Sequence, residues 1–186
     1  MKLARLIAVA IIALLVGAAI AQDYKPKSGE VIMKLAIEGR GNVSIRLFTK
    51  EAPNTTSRIM ELARQGFYNG LKFHRVIKTP RPYLVQFGAP GSRDKSIDDP
   101  ELQTQGTGKS VAYEESGQKN DAEGIVGLSA QPGDRNSGDC QFHILLAPAK
   151  FLDGNYTVFG KVVAGMDVVK KIEKGDKVIS VTIISG

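Results

Sequence analysis

The feature that most constrains the fold is a period of two in the hydrophobic pattern, repeated in short runs. Val31, Met33, Leu35 and Ile37 share one face, with Lys34 on the other, and Val43, Ile45 and Leu47 alternate with Ser44 and Arg46. That period is the signature of half-buried strands. The short Gly-containing connection Glu38-Gly39-Arg40-Gly41-Asn42 joins them, so the pair reads as a hairpin. Over Pro53–Gly66 the period changes: Ile59, Leu62 and Ala63 fall on one helical face, with Gly66 as the stop. Strands are expected again at Leu71–Ile77, Tyr83–Phe87, Ser110–Tyr113, Ile125–Ala130, Gln141–Leu146, Thr157–Val162 and Val178–Ile184. Met166–Ile172 reads as a second short helix, and residues 88–108, dense in Gly, Ser, Asp and Pro, read as a long loop. Eight or so strands with one early and one late helix predict a mainly β protein. A closed antiparallel barrel capped by helices would leave no exposed sheet edge. The pattern alone fits several kinds of barrel.

Residues 1–21 read as a targeting segment. Lys2 and Arg5 precede the uninterrupted small and apolar run Leu6–Ala21, and Ala19-Ile20-Ala21 fits a small-residue cleavage site before Gln22. The run is short of the ~20 residues that span a bilayer comfortably. An uncleaved N-terminal anchor is the alternative, and either version predicts export to a periplasmic or secreted location. Residues 22–28 read as a polar linker and 29–186 as one domain, long enough for a single core. The net charge of +6 includes Lys2 and Arg5, and the remaining excess is evenly spread. No cluster of Lys and Arg with interleaved aromatics occurs, which argues against nucleic acid. Cys140 is the only cysteine, so no internal disulfide forms, and a small buried residue is expected there.

Arg75 is the residue that asks for a chemical reason. It sits in Phe73-His74-Arg75-Val76-Ile77, an apolar run where a guanidinium is costly to bury without a partner or a task. Taken alone, it is better read as salt-bridging a carboxylate at a barrel rim. Gln86 follows eleven residues later, before Phe87-Gly88. The two histidines, His74 and His143, have no carboxylates at a spacing that would complete a metal site. Cys140 and His143 lie three apart on an expected strand, so they face opposite ways and make a poor thiol–imidazole pair.

Phe67-Tyr68-Asn69-Gly70, Phe73-His74-Arg75, Gln86-Phe87-Gly88, Gln141-Phe142 and Phe151-Leu152-Asp153-Gly154 together resemble the cyclophilin family of peptidyl-prolyl cis/trans isomerases, over nearly all of the chain after residue 28. The resemblance implies an eight-stranded antiparallel barrel with two capping helices. It implies rotation about X-Pro bonds, with no cofactor and no metal. The expected partners are Pro-containing segments of unfolded or flexible exported proteins, whose folding the activity would speed. The chain is expected to act as a monomer, with no membrane contact beyond the N-terminal segment. Arg75 matches the family's catalytic arginine, and Gln86 the glutamine that holds substrate backbone or the arginine itself. Phe73, Tyr83 and Leu84 match residues at the proline slot. Ser129 and Ala130 sit near the family's substrate-backbone-binding segment, Gln141 and Phe142 match its Gln-Phe pair at the substrate site, and the loop Asp134–Gly138 resembles the one preceding that pair. Phe151 and Leu152 match the slot's wall.

This chain departs from the family pattern in four places. Phe151 stands where drug-sensitive members carry tryptophan, and the chain has no tryptophan, which speaks against tight cyclosporin binding. His143 replaces a phenylalanine at the pocket floor. It is expected to cover a proline and to weaken binding as it charges between about pH 8 and 5. Tyr156 stands where histidine is common. The Arg75–Gln86 spacing is longer than usual, with the extra residues in Lys78-Thr79-Pro80-Arg81-Pro82, a stiff basic loop expected beside the slot. These changes leave a second reading open: a binding module of the same fold with weak catalysis.

Overall fold

The computed structural model describes residues 24–186. The targeting segment expected at 1–21 lies outside the described residues. The elements, in order, are β1 (Val31–Ile37), β2 (Gly41–Leu47), α1 (Pro53–Arg64), β3 (Arg75–Ile77), β4 (Leu84–Phe87), β5 (Ile125–Leu128), β6 (Phe142–Leu145), β7 (Val158–Ala164), α2 (Met166–Lys171) and β8 (Val178–Ser185). Short 3-10 turns at Pro90–Arg93, Pro100–Gln103 and Lys150–Leu152 punctuate the loops.

All eight strands join one antiparallel sheet in the order β3-β4-β6-β5-β7-β2-β1-β8. The expected hairpin is present, with Met33 opposite Ile45 and Leu35 opposite Val43. The sheet stops short of the closed barrel expected from the sequence, because among the described residues no strand ladder joins β3 to β8. Instead the segment before β3 reaches across: Gly70 N–H donates to Val178 O at 2.7 Å and Val178 N–H to Leu71 O at 2.9 Å. Phe73 N–H donates to Asp176 O and Gly175 N–H to Phe73 O, both at 2.9 Å. The sheet therefore curls without completing a ring of strands. Ser110–Tyr113, expected as a strand, carries only an isolated bridge between Val111 and Gly138.

Helix α1 starts with Pro53 in its first turn, where the missing N–H costs nothing. Its exposed backbone donors are taken by a distant carboxylate: Asn54 and Thr55 N–H donate to Glu114 at 2.9 and 2.8 Å. Gly66 ends it at φ +70, a conformation that disfavours a side chain.

Alternation along the strands sorts side chains onto two faces of the sheet. Val85, Phe87, Val126, Leu128, Phe142, Ile144 and Phe159 join the main core with Ile59 and Leu62 of α1 and Val168 and Val169 of α2. On the other face, Leu84, Ile125, Leu145 and Val158 form a second cluster with Phe48, Ala149 and Leu152. Gln86 and His143 belong to this second face by the same alternation.

Candidate active site

Arg75, Gln86 and His143 lie side by side across three strands, since Arg75 pairs with Gln86 on β3–β4 and Gln86 with His143 on β4–β6. Around them is a cavity of about 160 Å³ lined by Arg75, Tyr83, Leu84, Gln86, Gln103, Thr104, Ser129, Ala130, Gln131, Pro132, His143, Leu152 and Tyr156. That is roughly the volume of five waters in the liquid, the scale of one small ring. Eight residues expected at the slot from the sequence are thus brought together: Arg75, Gln86, Tyr83, Leu84, Ser129, Ala130, His143 and Leu152, with Tyr156 as a ninth.

The half-buried Arg75 guanidinium donates to Gln86 Oε1 at 3.1 Å. Among the described residues no carboxylate pairs with it, so the rim salt bridge left open by the sequence is not formed. A guanidinium has five N–H donors. Most of its donors therefore remain available to a molecule in the slot.

The direction of the Gln86 amide is enforced from behind. Gln141 Nε2 donates to two backbone carbonyls, Leu102 O at 2.8 Å and Gln105 O at 2.7 Å. Carbonyls only accept, so the Gln141 nitrogen must face them and its oxygen must face Gln86. Gln86 Nε2 then donates to Gln141 Oε1 at 2.9 Å, which turns Gln86 Oε1 toward Arg75. The orientation of both amides follows from the pattern of donors and acceptors. Gln141 therefore acts from outside the slot. It lines the adjoining cavity of about 420 Å³ together with Asp139, Cys140 and the 103–108 segment.

His143 forms the floor, buried at 3 % exposure. Its ring lies against Gly127, directly opposite on β5, where a Cβ would stand 2.6 Å from Nε2. Its Nδ1 is 3.3 Å from Ser129 Oγ, and its ring meets Tyr156 edge-on with centroids 5.5 Å apart. Burial, and then the charge of Arg75, push its pKa down to about 4. The expected titration between pH 8 and 5 is therefore corrected: desolvation keeps this imidazole neutral throughout that range.

Three further expectations are corrected. Phe73 does not line the slot. It is fully buried in the main core, with its ring centroid 5.0 Å from that of Phe87. Strand alternation does not run back from Arg75, because Phe73 has left the β3 ladder to pair with Gly175 and Asp176. Phe151 is not in the wall either. It is 71 % exposed and leans on Tyr83 at 5.5 Å, at the slot's mouth. None of residues 78–82 lines the cavity, and Lys78 pairs instead with Glu173 at 2.6 Å. Gln103, Thr104, Gln131 and Pro132 are lining residues that the sequence reading missed. The first two sit in a loop with no periodic pattern, and the last two directly follow Ser129-Ala130.

The Cys140 thiol is buried and pushed up to about 12, chiefly by desolvation, so it is not a thiolate at neutral pH. Among the described residues no three His, Cys, Asp or Glu side chains gather as metal ligands.

Comparison with known proteins identifies the family and the fold. Residues 32–185 match the family model described as cyclophilin type peptidyl-prolyl cis-trans isomerase/CLD. A probable peptidyl-prolyl cis-trans isomerase of Brucella suis biovar 1 is 36 % identical over 191 residues, covering 96 % of this chain and 94 % of that protein. A peptidyl-prolyl cis-trans isomerase of Helicobacter pylori is 35 % identical over 153 residues, covering 78 % and 83 %. The fold is similar to a crystal structure of a cyclophilin type peptidyl-prolyl cis-trans isomerase from Cryptosporidium parvum. The TM-score is 0.70 at 21 % identity, covering 84 % of this chain and 99 % of the other. A second structure of that protein, in the presence of the dipeptide Ala-Pro, matches with a TM-score of 0.69 at 22 % identity, covering 83 % and 99 %.

Proposed function

This chain belongs to the cyclophilin-type peptidyl-prolyl cis-trans isomerases, and we propose that it turns over X-Pro bonds through Arg75. Amide rotation meets a barrier of about 18–20 kcal/mol because the C–N bond has partial double-bond character. Uncatalysed exchange at proline takes roughly tens to hundreds of seconds. When the bond twists, the prolyl nitrogen regains its lone pair and becomes a better hydrogen-bond acceptor. A cation that donates to that nitrogen stabilises the twisted state more than either planar one. A charge-assisted hydrogen bond contributes about 1.5–3 kcal/mol, and each tenfold in rate requires about 1.36 kcal/mol. Arg75 would therefore supply one to two decades, with the rest from orienting the peptide and excluding water.

The observation that carries this reading is the state of Arg75: free of any carboxylate among the described residues, held on one side by Gln86 at 3.1 Å, and lining the slot. In the proposed pose Leu84, Leu152 and the His143 ring cover the proline ring, and Gln86, Ser129 and Ala130 hold the neighbouring peptide groups. The structure of the similar fold in the presence of Ala-Pro supports a proline-containing ligand. Exchange NMR on an Ala-Pro peptide tests the assignment. The wild-type protein is expected to speed exchange, and Arg75→Ala to lose at least a tenfold of that effect. Undiminished exchange in the variant would remove Arg75 from the mechanism. Peptide binding without faster exchange would favour the binding-module reading.

We propose further that the protein is exported, acts as a monomer and serves the folding of Pro-containing exported chains. The support is the Lys2/Arg5 region followed by Leu6–Ala21 and Ala19-Ile20-Ala21. Mass spectrometry of the protein from its native cell should find Gln22 as the first residue. An intact Met1 in a cytoplasmic fraction would refute export.

A further inference from the structure

We propose that Arg58, Thr107 and Asp139 form a clamp that positions Arg75 from the far side of the 102–108 segment. This inference rests on Arg75 being the catalytic group.

Arg58 projects from α1 and is 8 % exposed. Its Nη2 donates to Asp139 Oδ1 at 3.1 Å and to Thr107 Oγ1 at 2.5 Å. Its Nη1 donates to Glu61 at 3.1 Å. Asp139, 9 % exposed, accepts further from the Thr107 hydroxyl at 2.8 Å and from the backbone N–H of Thr107 and of Gly108, the latter at 3.1 Å. A Cβ at Gly106 would stand 2.7 Å from the same carboxylate, so the loop passes directly over it. Burying a charge pair is weak evidence of added stability, because apolar residues of the same volume do as well or better. What such a pair does enforce is the relative position of the parts it joins.

Here those parts lead to the slot. Asp139 grips residues 107 and 108, and Gln141, two residues further along the same segment, grips the carbonyls of Leu102 and Gln105. Between the two carbonyls that Gln141 holds lie Gln103 and Thr104, which line the slot; only Gly106 separates that grip from the one at Thr107. The carbonyls of Leu102 and Gln105 fix which way the Gln141 amide points. Gln141 fixes Gln86, and Gln86 presents an oxygen to Arg75. If the 105–108 backbone shifts, the amide relay loses the acceptors that set its direction, and the guanidinium loses the restraint that Gln86 provides.

Thr107→Val removes the hydroxyl that bonds both Arg58 and Asp139 while leaving the charge pair and the volume in place. Arg58→Met is the stronger lesion. Each is made alone and on Arg75→Ala, and Ala-Pro exchange is followed by NMR at enzyme concentrations where the residual activity is measurable. With Arg75 present, kcat/KM is expected to fall about tenfold, the size of one displaced charge-assisted hydrogen bond. On Arg75→Ala the same lesion should cost less than about twofold, because a coupled pair does not add. In folded Thr107→Val the Gln141 side-chain amide protons should also lose protection from hydrogen exchange. An equal loss in both backgrounds would mean general destabilisation and overturn the proposal. So would unchanged rates and protection in folded Thr107→Val. Full activity in Arg75→Ala alone would overturn the catalytic reading and the clamp together. A collapse there with Thr107→Val unaffected would overturn the clamp alone.

Discussion

Arg75 and Gln86 stand directly opposite each other on β3 and β4, and the glutamine takes a single N–H of the guanidinium at 3.1 Å. One restraint on a rigid fork leaves the remaining donors aimed by geometry. Lysine cannot reproduce this, since its ammonium is a point charge on a flexible stem. Arg75→Lys should lower kcat/KM by about tenfold or more, while Tm changes by no more than a few degrees. Arg75 is only half-buried and pairs with no carboxylate among the described residues, so the exchange orphans no buried charge. Ala-Pro exchange NMR and a thermal melt on the same sample check both halves. A lysine variant with near-normal rates would show that charge alone suffices.

Gln141 offers a test of the relay behind Gln86. A carboxylate in its place would face the carbonyls of Leu102 and Gln105 with no proton to give. Gln141→Glu should therefore lose about 1–3 kcal/mol of stability near neutral pH, and more if the charge finds no water. The new carboxyl would have a raised pKa in the folded state. Protonation then restores a donor, so the deficit relative to wild type should shrink as pH falls toward about 5. Urea unfolding of both proteins at each pH reads this directly. A deficit that does not vary with pH would mean the carbonyls are satisfied in some other way.

Most of the sheet was legible because alternation is local: the β1–β2 hairpin, α1 with its Gly66 stop, and the strands holding Gln86 and His143 follow from residues close in sequence. The failures are where partners are remote. Phe73 turned into the core because Asp176 and Gly175 took its backbone, which no local pattern announces. The sheet stayed open for the same reason, since those contacts stand where a ladder between β3 and β8 would have closed it. Gln103 and Thr104 reached the slot because Gln141 and Asp139 hold an aperiodic loop against it. The neutrality of His143 depends on burial, which a residue's type does not specify.

His143 and His74 predict the acid response. Both are held near pKa 4, by burial first and the charge of Arg75 second. The unfolded chain therefore binds these protons more readily than the folded one. Their contribution is fully present above about pH 6.5 and is lost as pH falls from there toward 4. At pH 5 each costs about 2 kcal/mol relative to pH 8. His143→Phe should remove its share of that slope, which unfolding titrations at the two pH values will show. Activity on Ala-Pro should stay flat between about pH 8 and 5. A slope that survives the substitution would assign the loss to other groups.

Phe151 separates binding from stability. It is 71 % exposed and leans on Tyr83 at the slot's mouth, so its removal leaves no buried cavity. Phe151→Ala should change stability by no more than about 0.5 kcal/mol. It should raise KM severalfold with kcat nearly unchanged, because an aromatic contact at the mouth contributes about 0.5–1.5 kcal/mol to both ground and transition states. A fall in kcat instead would show that Phe151 closes over the reacting peptide.

Gly127 sets the depth of the slot. Its backbone is not in the left-handed region, so alanine is conformationally allowed, but the new Cβ would stand 2.6 Å from His143 Nε2 and 2.7 Å from Cε1. The ring is enclosed by Ser129 and Tyr156, so it must yield toward the slot. Gly127→Ala should cost about 1–3 kcal/mol by overpacking and reduce kcat/KM on Ala-Pro through a shallower floor. Adding His143→Ala removes the collision and should recover most of the stability. Activity should stay low, because the floor is then missing. Full recovery of activity in the double variant would mean that the imidazole does not contact the proline at all.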